Sequence, residues 1–158
     1  MSIKNLTQWQ NALKQHEQQL RRVAGEAVYH AARQARDRVT DRIPPGGSGR
    51  FPGYAATGRM KTTFAASAPV RNGNEVRSRV GVIASAKPLD RIKAFVHEYG
   101  KVIRARRAPY LTFQVQGKWV RVKQVTIRPK RFFAEAWAET LRAGRADIER
   151  YIREHWRP

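Results

Sequence analysis

Residues 101–133 read KVIRARRAPYLTFQVQGKWVRVKQVTIRPKRFF, and this stretch combines a β-strand pattern with a strong positive charge. It holds ten lysines and arginines before Phe132 and no acidic residue. Apolar residues alternate with polar or basic ones on both sides of a turn at 116–118, which predicts a β-hairpin with one apolar and one basic face. The alternating apolar residues are Leu111, Phe113, Val115, Val120 and Val122. The alternation changes phase near Lys123–Gln124, which indicates a bulge or the end of the strand.

A second hairpin is predicted upstream of this stretch. The segments FAASAPV (64–70) and VRSRVGVIA (76–84) flank the turn signal Asn-Gly-Asn at 72–74. We expect the two hairpins to form one antiparallel sheet of about four strands.

The N-terminal region predicts one long helix. Residues 3–43 contain no proline, and their apolar residues recur mostly at steps of three and four. At about 1.5 Å per residue, such a helix measures roughly 60 Å, which exceeds the diameter of a small domain. We therefore expect part of it to project or to pack on another subunit. The prolines at 44 and 45 end it, and the Pro/Gly/Ser-rich segment 44–56 is interpreted as a flexible loop.

Two further helices are predicted. Residues 88–100 place Ile92, Phe95, Val96 and Tyr99 at helical spacing and end at a glycine. Residues 132–156 form an amphipathic pattern that we expect to pack on the sheet. Its apolar stripe is Phe133, Trp137, Leu141, Ile148, Tyr151, Ile152 and His155.

Together these elements predict an α+β fold with three parts. They are a long N-terminal helix over 1–43, a flexible Pro/Gly loop over 44–56 and an α+β domain over 57–158. The domain is expected to hold the sheet, a short helix and a C-terminal helix. No internal repeat is present.

The net charge of +20 is distributed unevenly along the 158 residues. Ten units of it lie in residues 101–131, whereas residues 132–158 are neutral, with five basic and five acidic residues. A field this concentrated attracts nucleic acid or an acidic protein surface. The chain has no cysteine, no secretory h-region at its N-terminus and no long apolar run. We therefore expect a soluble protein made in a cytoplasm, with no disulfide and no membrane partner.

The sequence offers little for catalysis. None of the four histidines pairs with another at metal-ligand spacing, and cysteine nucleophiles are absent. We predict no enzyme activity, no cofactor and no metal, and interpret His97, Glu98 and Tyr99 as a packed helix end. A metal-independent ribonuclease remains the third hypothesis. Its candidate residues would be His97, Arg104, Arg106, Arg107 and Tyr110.

A stand-alone nucleic-acid-binding protein is the second hypothesis. Trp119 lies between Lys118 and Arg121, and an aromatic residue flanked by cations is a stacking platform for single strands. The alternative is that Trp119 packs at the hairpin end or in a subunit interface. The chain lacks helix-turn-helix, zinc-finger and RNP motifs.

The order of the motifs resembles the minor tail component, or tail-completion (neck), family of long-tailed bacteriophages. After a long leading helix come ATGRMKTTF (56–64), VGV (80–82), FVHEYG (95–100) and RAPYLTFQVQGKWVRVKQVTI (107–127). A proline-arginine-phenylalanine start of the last helix follows, and the resemblance covers roughly residues 20–155. The family's Glu-Phe-Gly turn reads Glu-Tyr-Gly here, and the last helix lacks the family's second proline.

This resemblance implies a non-catalytic structural protein of the virion neck. It implies a self-assembled ring, with six copies expected from tail symmetry, located at the head–tail junction. The implied partners are the tail terminator or tail tube protein, the head-closure or connector protein, and genomic DNA in the lumen.

We predict that nine cations present the partner-binding or DNA-binding surface, with Trp119 as an interface aromatic. The nine are Arg104, Arg106, Arg107, Lys118, Arg121, Lys123, Arg128, Lys130 and Arg131.

Overall fold

A computed structural model of the chain describes residues 3–43, 60–115 and 117–156. The predicted flexible loop at 44–56 lies outside the described residues. The described part has a mixed α+β architecture, as predicted. Its elements are α1 (Ile3–Arg42), a 3-10 turn (Lys61–Thr63), β1 (Phe64–Ala66), β2 (Val70–Asn72), β3 (Glu75–Arg77), β4 (Val80–Val82), α2 (Pro88–Tyr99), β5 (Lys101–Arg104), β6 (Leu111–Val115), β7 (Lys118–Val122), β8 (Gln124–Ile127) and α3 (Phe132–His155).

The long N-terminal helix is confirmed as one uninterrupted element. Gly25 lies inside α1 without breaking it. The helix has two environments along its length: residues 5–18 are all exposed, whereas Val23, Ala27, Ala35 and Val39 are buried. The helix is thus anchored by its C-terminal half, and its N-terminal part projects from the body.

Helix α3 packs mainly along α1, which differs from the expected packing across the sheet. Its contact face carries small residues such as Ala136, which is fully buried. Small side chains let two helix backbones approach closely, so this face is covered in preference to the bulkier one. Trp137 and Leu141 of the predicted stripe are therefore exposed, and the short helix α2 likewise leaves Phe95 63% exposed.

The hydrophobic core forms where α1, α2, α3 and β1 meet. Its buried members are Val39, Ile43, Phe64, Ala94, Phe132 and Ala136. The rings of Phe64 and Phe132 pack edge to face, with centroids 5.8 Å apart. Through Phe64 the first hairpin is part of this core.

An ion-pair network joins α1 to α3. Arg38 contacts Asp147 at 3.2 Å and Glu139 at 3.4 Å, and Arg42 also pairs with Glu139. Asp147 is buried, and it is further bound by Arg150 at 2.7 Å. Arg38, Arg42 and Arg150 are therefore each compensated by an acidic neighbour.

The strands form two separate two-stranded ribbons in place of the expected single sheet. In the first ribbon (residues 64–82), β1 pairs with β4 and β2 pairs with β3, all antiparallel, around a turn at Gly73. In the basic ribbon (residues 101–127), β5 pairs with β8 at the base and β6 with β7 at the tip. Within the described residues, no strand of one ribbon pairs with a strand of the other.

The basic ribbon contains the predicted break of phase. Lys123 alone separates β7 from β8, and the six residues 105–110 lie opposite it between β5 and β6. The predicted end of the strand near Lys123–Gln124 is thereby confirmed. The change of phase occurs because the two ladders meet at a bulge.

The base of the basic ribbon is fixed between α2 and α3. Gly100 turns the chain into β5 with φ 73°, and the backbone N–H of Lys130 donates to the His97 carbonyl at 2.7 Å. The Glu98 carboxylate accepts hydrogen bonds from the backbone N–H groups of Phe133 at 2.8 Å and Ala134 at 3.0 Å. A carboxylate in this position satisfies two backbone donors of the first turn of α3, and its negative charge interacts favourably with the positive end of the helix dipole.

Candidate partner-binding surface on the basic ribbon

All nine predicted cations lie on the basic ribbon or on its connection to α3, and all nine are exposed. They follow the ribbon from its tip to its base. Lys118 and Arg121 are on β7, Lys123 is at the bulge and Arg104 ends β5. The remaining five lie in the two irregular segments, with Arg106 and Arg107 at 105–110 and Arg128, Lys130 and Arg131 at 128–131.

None of these nine cations forms a salt bridge within residues 3–43, 60–115 and 117–156. The local reason is that residues 101–131 contain no acidic residue. The structural reason is that the ribbon makes few contacts with the acid-bearing helices. The cations therefore keep their full charge available to a partner.

The strand register determines which side chains share a face. Gln114 lies opposite Trp119 and Thr112 opposite Arg121, so these four residues occupy one face of the ribbon tip. Lys118 lies opposite Val115 and therefore belongs to the other face. The tip presents cations on both faces, which is a broader surface than the single basic face predicted.

An aromatic residue supports the most central cation of the tip. The guanidinium carbon of Arg121 lies 5.1 Å from the centroid of the Tyr110 ring, which is a cation–π distance. Trp119 is 69% exposed on the same face as Arg121, so it is not packed within its own subunit. This face therefore combines the Arg121 guanidinium, which is stacked on Tyr110, with the exposed indole of Trp119. Arginine and tryptophan are both residues that anchor binding interfaces.

The apolar side of the ribbon is only partly covered. Leu111, Phe113, Val120 and Val122 are half-buried, and none belongs to the core. The apolar face predicted for this hairpin is therefore half-buried and lies outside the hydrophobic core. Branched and aromatic side chains shield one another across the two strands, which lets the ribbon persist without a helix on top.

At the helix end His97–Tyr99, the Glu98 side chain has a structural role. Both carboxylate oxygens of Glu98 are used by backbone N–H groups of α3. Burial, and then the charges of Lys130 and Lys93, hold the pKa of His97 below its ordinary value of 6.5. The lowered pKa favours the neutral form of His97 beside the base of the ribbon. Tyr99 is exposed.

Two features of this surface were missed by sequence reasoning. The first is the cation–π contact between Arg121 and Tyr110. The sequence feature that could have indicated it is the aromatic residue at the end of the irregular segment 105–110. The capping role of Glu98 joins residues 35 positions apart and has no local signal.

The described residues contain no cluster of three histidines or acidic residues suited to a metal ion. Over the same residues, no helix has both the length and the apolar content to cross a bilayer. Comparison with protein-family models, with curated proteins and with solved structures finds no match to the chain.

Proposed function

We propose that this chain is a non-catalytic structural protein of a bacteriophage neck, a tail-completion component that joins tail to head as part of a ring. The observation that carries the proposal is the set of nine exposed cations that form no salt bridge among the described residues, on a ribbon that makes few contacts with the rest of the fold. A ribbon of about ten residues reaches roughly 33 Å, which is enough to extend beyond the subunit's own body.

The order of motifs in the sequence supports this proposal, because it resembles the tail-completion family. The projecting part of α1 adds a second extended element suited to contacts between subunits. In this role the basic ribbon meets an acidic surface of the neighbouring tail terminator, tail tube or head-closure protein, or the genomic DNA in the lumen.

The experiment reverses the charge of three ribbon cations in a phage that depends on this chain. The triple substitution Arg106→Glu, Arg121→Glu, Lys123→Glu changes the net charge by six units without touching the core. We expect a fall in plaque titre of at least about 100-fold, with separate heads and tails in the lysate, because a repulsive surface raises the cost of docking.

The matched control is Arg79→Glu, Lys87→Glu, Arg142→Glu, which alters the net charge equally at exposed positions outside the ribbon. It should leave the titre near that of the wild type. A normal titre for the ribbon variant would refute the proposal.

A stand-alone nucleic-acid-binding protein is the second candidate, and the exposed Trp119 beside Arg121 favours it. Stacking on an aromatic residue flanked by cations is sequence-tolerant and strongly dependent on salt. This candidate predicts that the purified chain binds single-stranded DNA with an affinity that falls steeply with salt and drops further in Trp119→Ala. Such binding together with an unchanged titre of the ribbon variant would favour it over the neck proposal.

A further inference from the structure

An apolar groove lies between the first ribbon, α2 and α3. It has a volume of about 540 Å³, and its walls include Val82, Phe95, Tyr99 and Phe133, with Arg91 and Glu98 among its polar members. The apolar surface continues beyond the groove, because Trp137 stacks parallel to Phe133 with ring centroids 6.5 Å apart. Leu89 and Ile92 of α2 are exposed nearby on the same helix.

The second apolar surface is the projecting part of α1, which we call the arm (residues 5–20). Its large apolar side chains are Leu6, Trp9, Leu13 and Leu20, and all four are exposed. Their spacing places them along one face of the helix. The spacing of Leu6, Trp9 and Leu13 is the i, i+3, i+7 pattern with which a helix anchors itself in an apolar groove.

The arm is electrically neutral in a strongly basic protein. Residues 5–20 contain one lysine, Lys14, and one acidic residue, Glu17, whereas the whole chain carries +20. Two copies of such a chain repel each other over most of their surfaces. A neutral apolar helix is the part of the molecule that can approach a second copy with the smallest electrostatic cost.

The arm cannot reach the groove of its own subunit. Helix α1 is continuous from Ile3 to Arg42, and its contact with the first ribbon begins near Arg21, whose carbonyl accepts a hydrogen bond from Arg71 at 3.2 Å. Residues 5–18 extend beyond that point and are exposed. Because α1 does not turn back within residues 3–42, its arm can enter this groove only in another molecule.

We propose that the arm of one copy of this chain docks in the groove of the next copy. The dimensions are compatible: the three anchors from Leu6 to Leu13 span about 11 Å, which fits within the roughly 15 Å from Leu89 to Tyr99 of α2. One contact covers both exposed apolar surfaces at once. It is a head-to-tail contact between different surfaces, so repetition produces a closed ring or an open filament.

This interface rests on the proposed function in that it specifies the self-assembly of the neck component. Its test, however, uses only the purified chain and residues outside the basic ribbon. If the arm does not dock in the groove but the ribbon variant has a reduced plaque titre, the neck proposal still stands. If the arm docks in the groove but the ribbon variant has a normal plaque titre, the neck proposal is refuted and the arm–groove contact is kept.

The absence of native cysteines makes a direct test of the contact possible. Leu13→Cys and Val82→Cys are prepared as separate full-length proteins, one carrying a size tag, then mixed and treated with a short bismaleimide crosslinker. We expect a tagged–untagged heterodimer at a yield at least several-fold above that of an Asn11→Cys and Val82→Cys mixture. Asn11 is exposed on the opposite side of the arm, so it is the matched control.

Sedimentation velocity of the full-length chain provides the second measurement. Wild-type protein should associate with rising concentration, and the double variant Trp9→Gln, Leu13→Gln should raise the apparent Kd at least about 10-fold. The control Asn11→Ala, Gln15→Ala should associate like the wild type.

Three results would overturn the inference. They are equal crosslinking yields for Leu13→Cys and Asn11→Cys, crosslinks formed only between two Leu13→Cys arms, and a wild-type chain that stays monomeric at high concentration. The second of these would show arms pairing with each other and the groove left open.

Discussion

The two β-ribbons of this protein share a construction but have opposite environments. Each is a two-stranded antiparallel ribbon with a positive-φ glycine at its turn, Gly73 in the first and Gly117 in the basic ribbon. The first ribbon lies along α1 and contributes Phe64 to the core. Among the residues of the basic ribbon whose burial is described, 101–114 and 117–127, none is buried. The basic ribbon carries seven cations and no acidic residue, whereas the first ribbon carries three arginines and one glutamate.

This difference shows how the protein separates stability from recognition. The first ribbon is held by burial of apolar side chains, which is the dominant source of folding free energy. The basic ribbon is held by its own cross-strand pairs and by a fixed base, so its side chains are free for a partner. Substitutions in the two ribbons should therefore have different consequences, and the following variants measure that difference.

The largest effect is expected from removing the aromatic anchor of the first ribbon. Phe64→Ala should lower the free energy of unfolding by about 3–4 kcal/mol, because it leaves a cavity against Phe132. The matched variant Phe113→Ala, on the half-buried side of the basic ribbon, should cost about 1 kcal/mol. Urea denaturation followed by circular dichroism measures both. Equal losses would show that the basic ribbon is as well packed as the first.

A second pair of variants compares the base and the tip of the basic ribbon. At Gly100, a Cβ would lie 2.8 Å from the Ile127 carbonyl oxygen in a backbone with φ 73°. Gly117 has a similar φ of 75° with open space around it.

We expect Gly117→Ala to cost about 1 kcal/mol from the left-handed backbone alone. Gly100→Ala should cost roughly 3 kcal/mol, because overpacking against backbone atoms adds to that strain. Thermal unfolding of the two variants provides the comparison, and similar costs would show that the base is not tightly fixed.

The smallest effect is a pH dependence at the base of the basic ribbon. The folded-state pKa of His97 lies below 6.5, so the unfolded chain binds the proton more tightly than the folded one. The contribution of His97 to stability is therefore full above about pH 6.5 and is lost as the pH falls through the folded-state pKa. His97→Gln should flatten this part of the stability profile, measured by urea denaturation between pH 4.5 and 7.5. The control His16→Gln, on the exposed arm, should keep the wild-type profile; an unchanged profile in His97→Gln would contradict the assignment.

Local signals in the sequence predicted most elements of the fold. Proline and glycine set the boundaries well: α1 ends ahead of the prolines at 44 and 45, and α2 ends at Tyr99, directly before Gly100. The change of phase at Lys123 gave the end of β7 correctly. These features depend on neighbouring residues and are therefore visible in a short window of sequence.

The packing of the helices could not be predicted in the same way. Periodicity shows which residues share a face, but the choice of the face that is covered depends on the partner element. In α3 the face with small side chains around Ala136 is buried, whereas the face with Trp137 and Leu141 is exposed. The reason is that close packing on α1 favours small side chains. The apolar groove exists because of that choice, and no local pattern indicates it.

For the candidate surface, the exposure of its residues was predicted, but their arrangement was not. The nine cations and Trp119 are exposed, as a count of charge and alternation would suggest. The distribution of Lys118 and Arg121 over two faces follows from their odd spacing on β7 and was already visible in the alternation. The support of Arg121 by Tyr110 joins two segments and depends on their register, which the sequence alone does not fix.

The fixed base of the basic ribbon has a mechanical consequence. Both strands leave the body at the same place, β5 through Gly100 and β8 through residues 128–131, where the Glu98 carboxylate and the His97 carbonyl hold the start of α3. A partner that pulls on the tip along the ribbon axis loads the two strands equally, so there is no sliding force between them. The tension passes along covalent backbone into α2 and α3, and the ribbon behaves as a tether whose ladder is not itself under load.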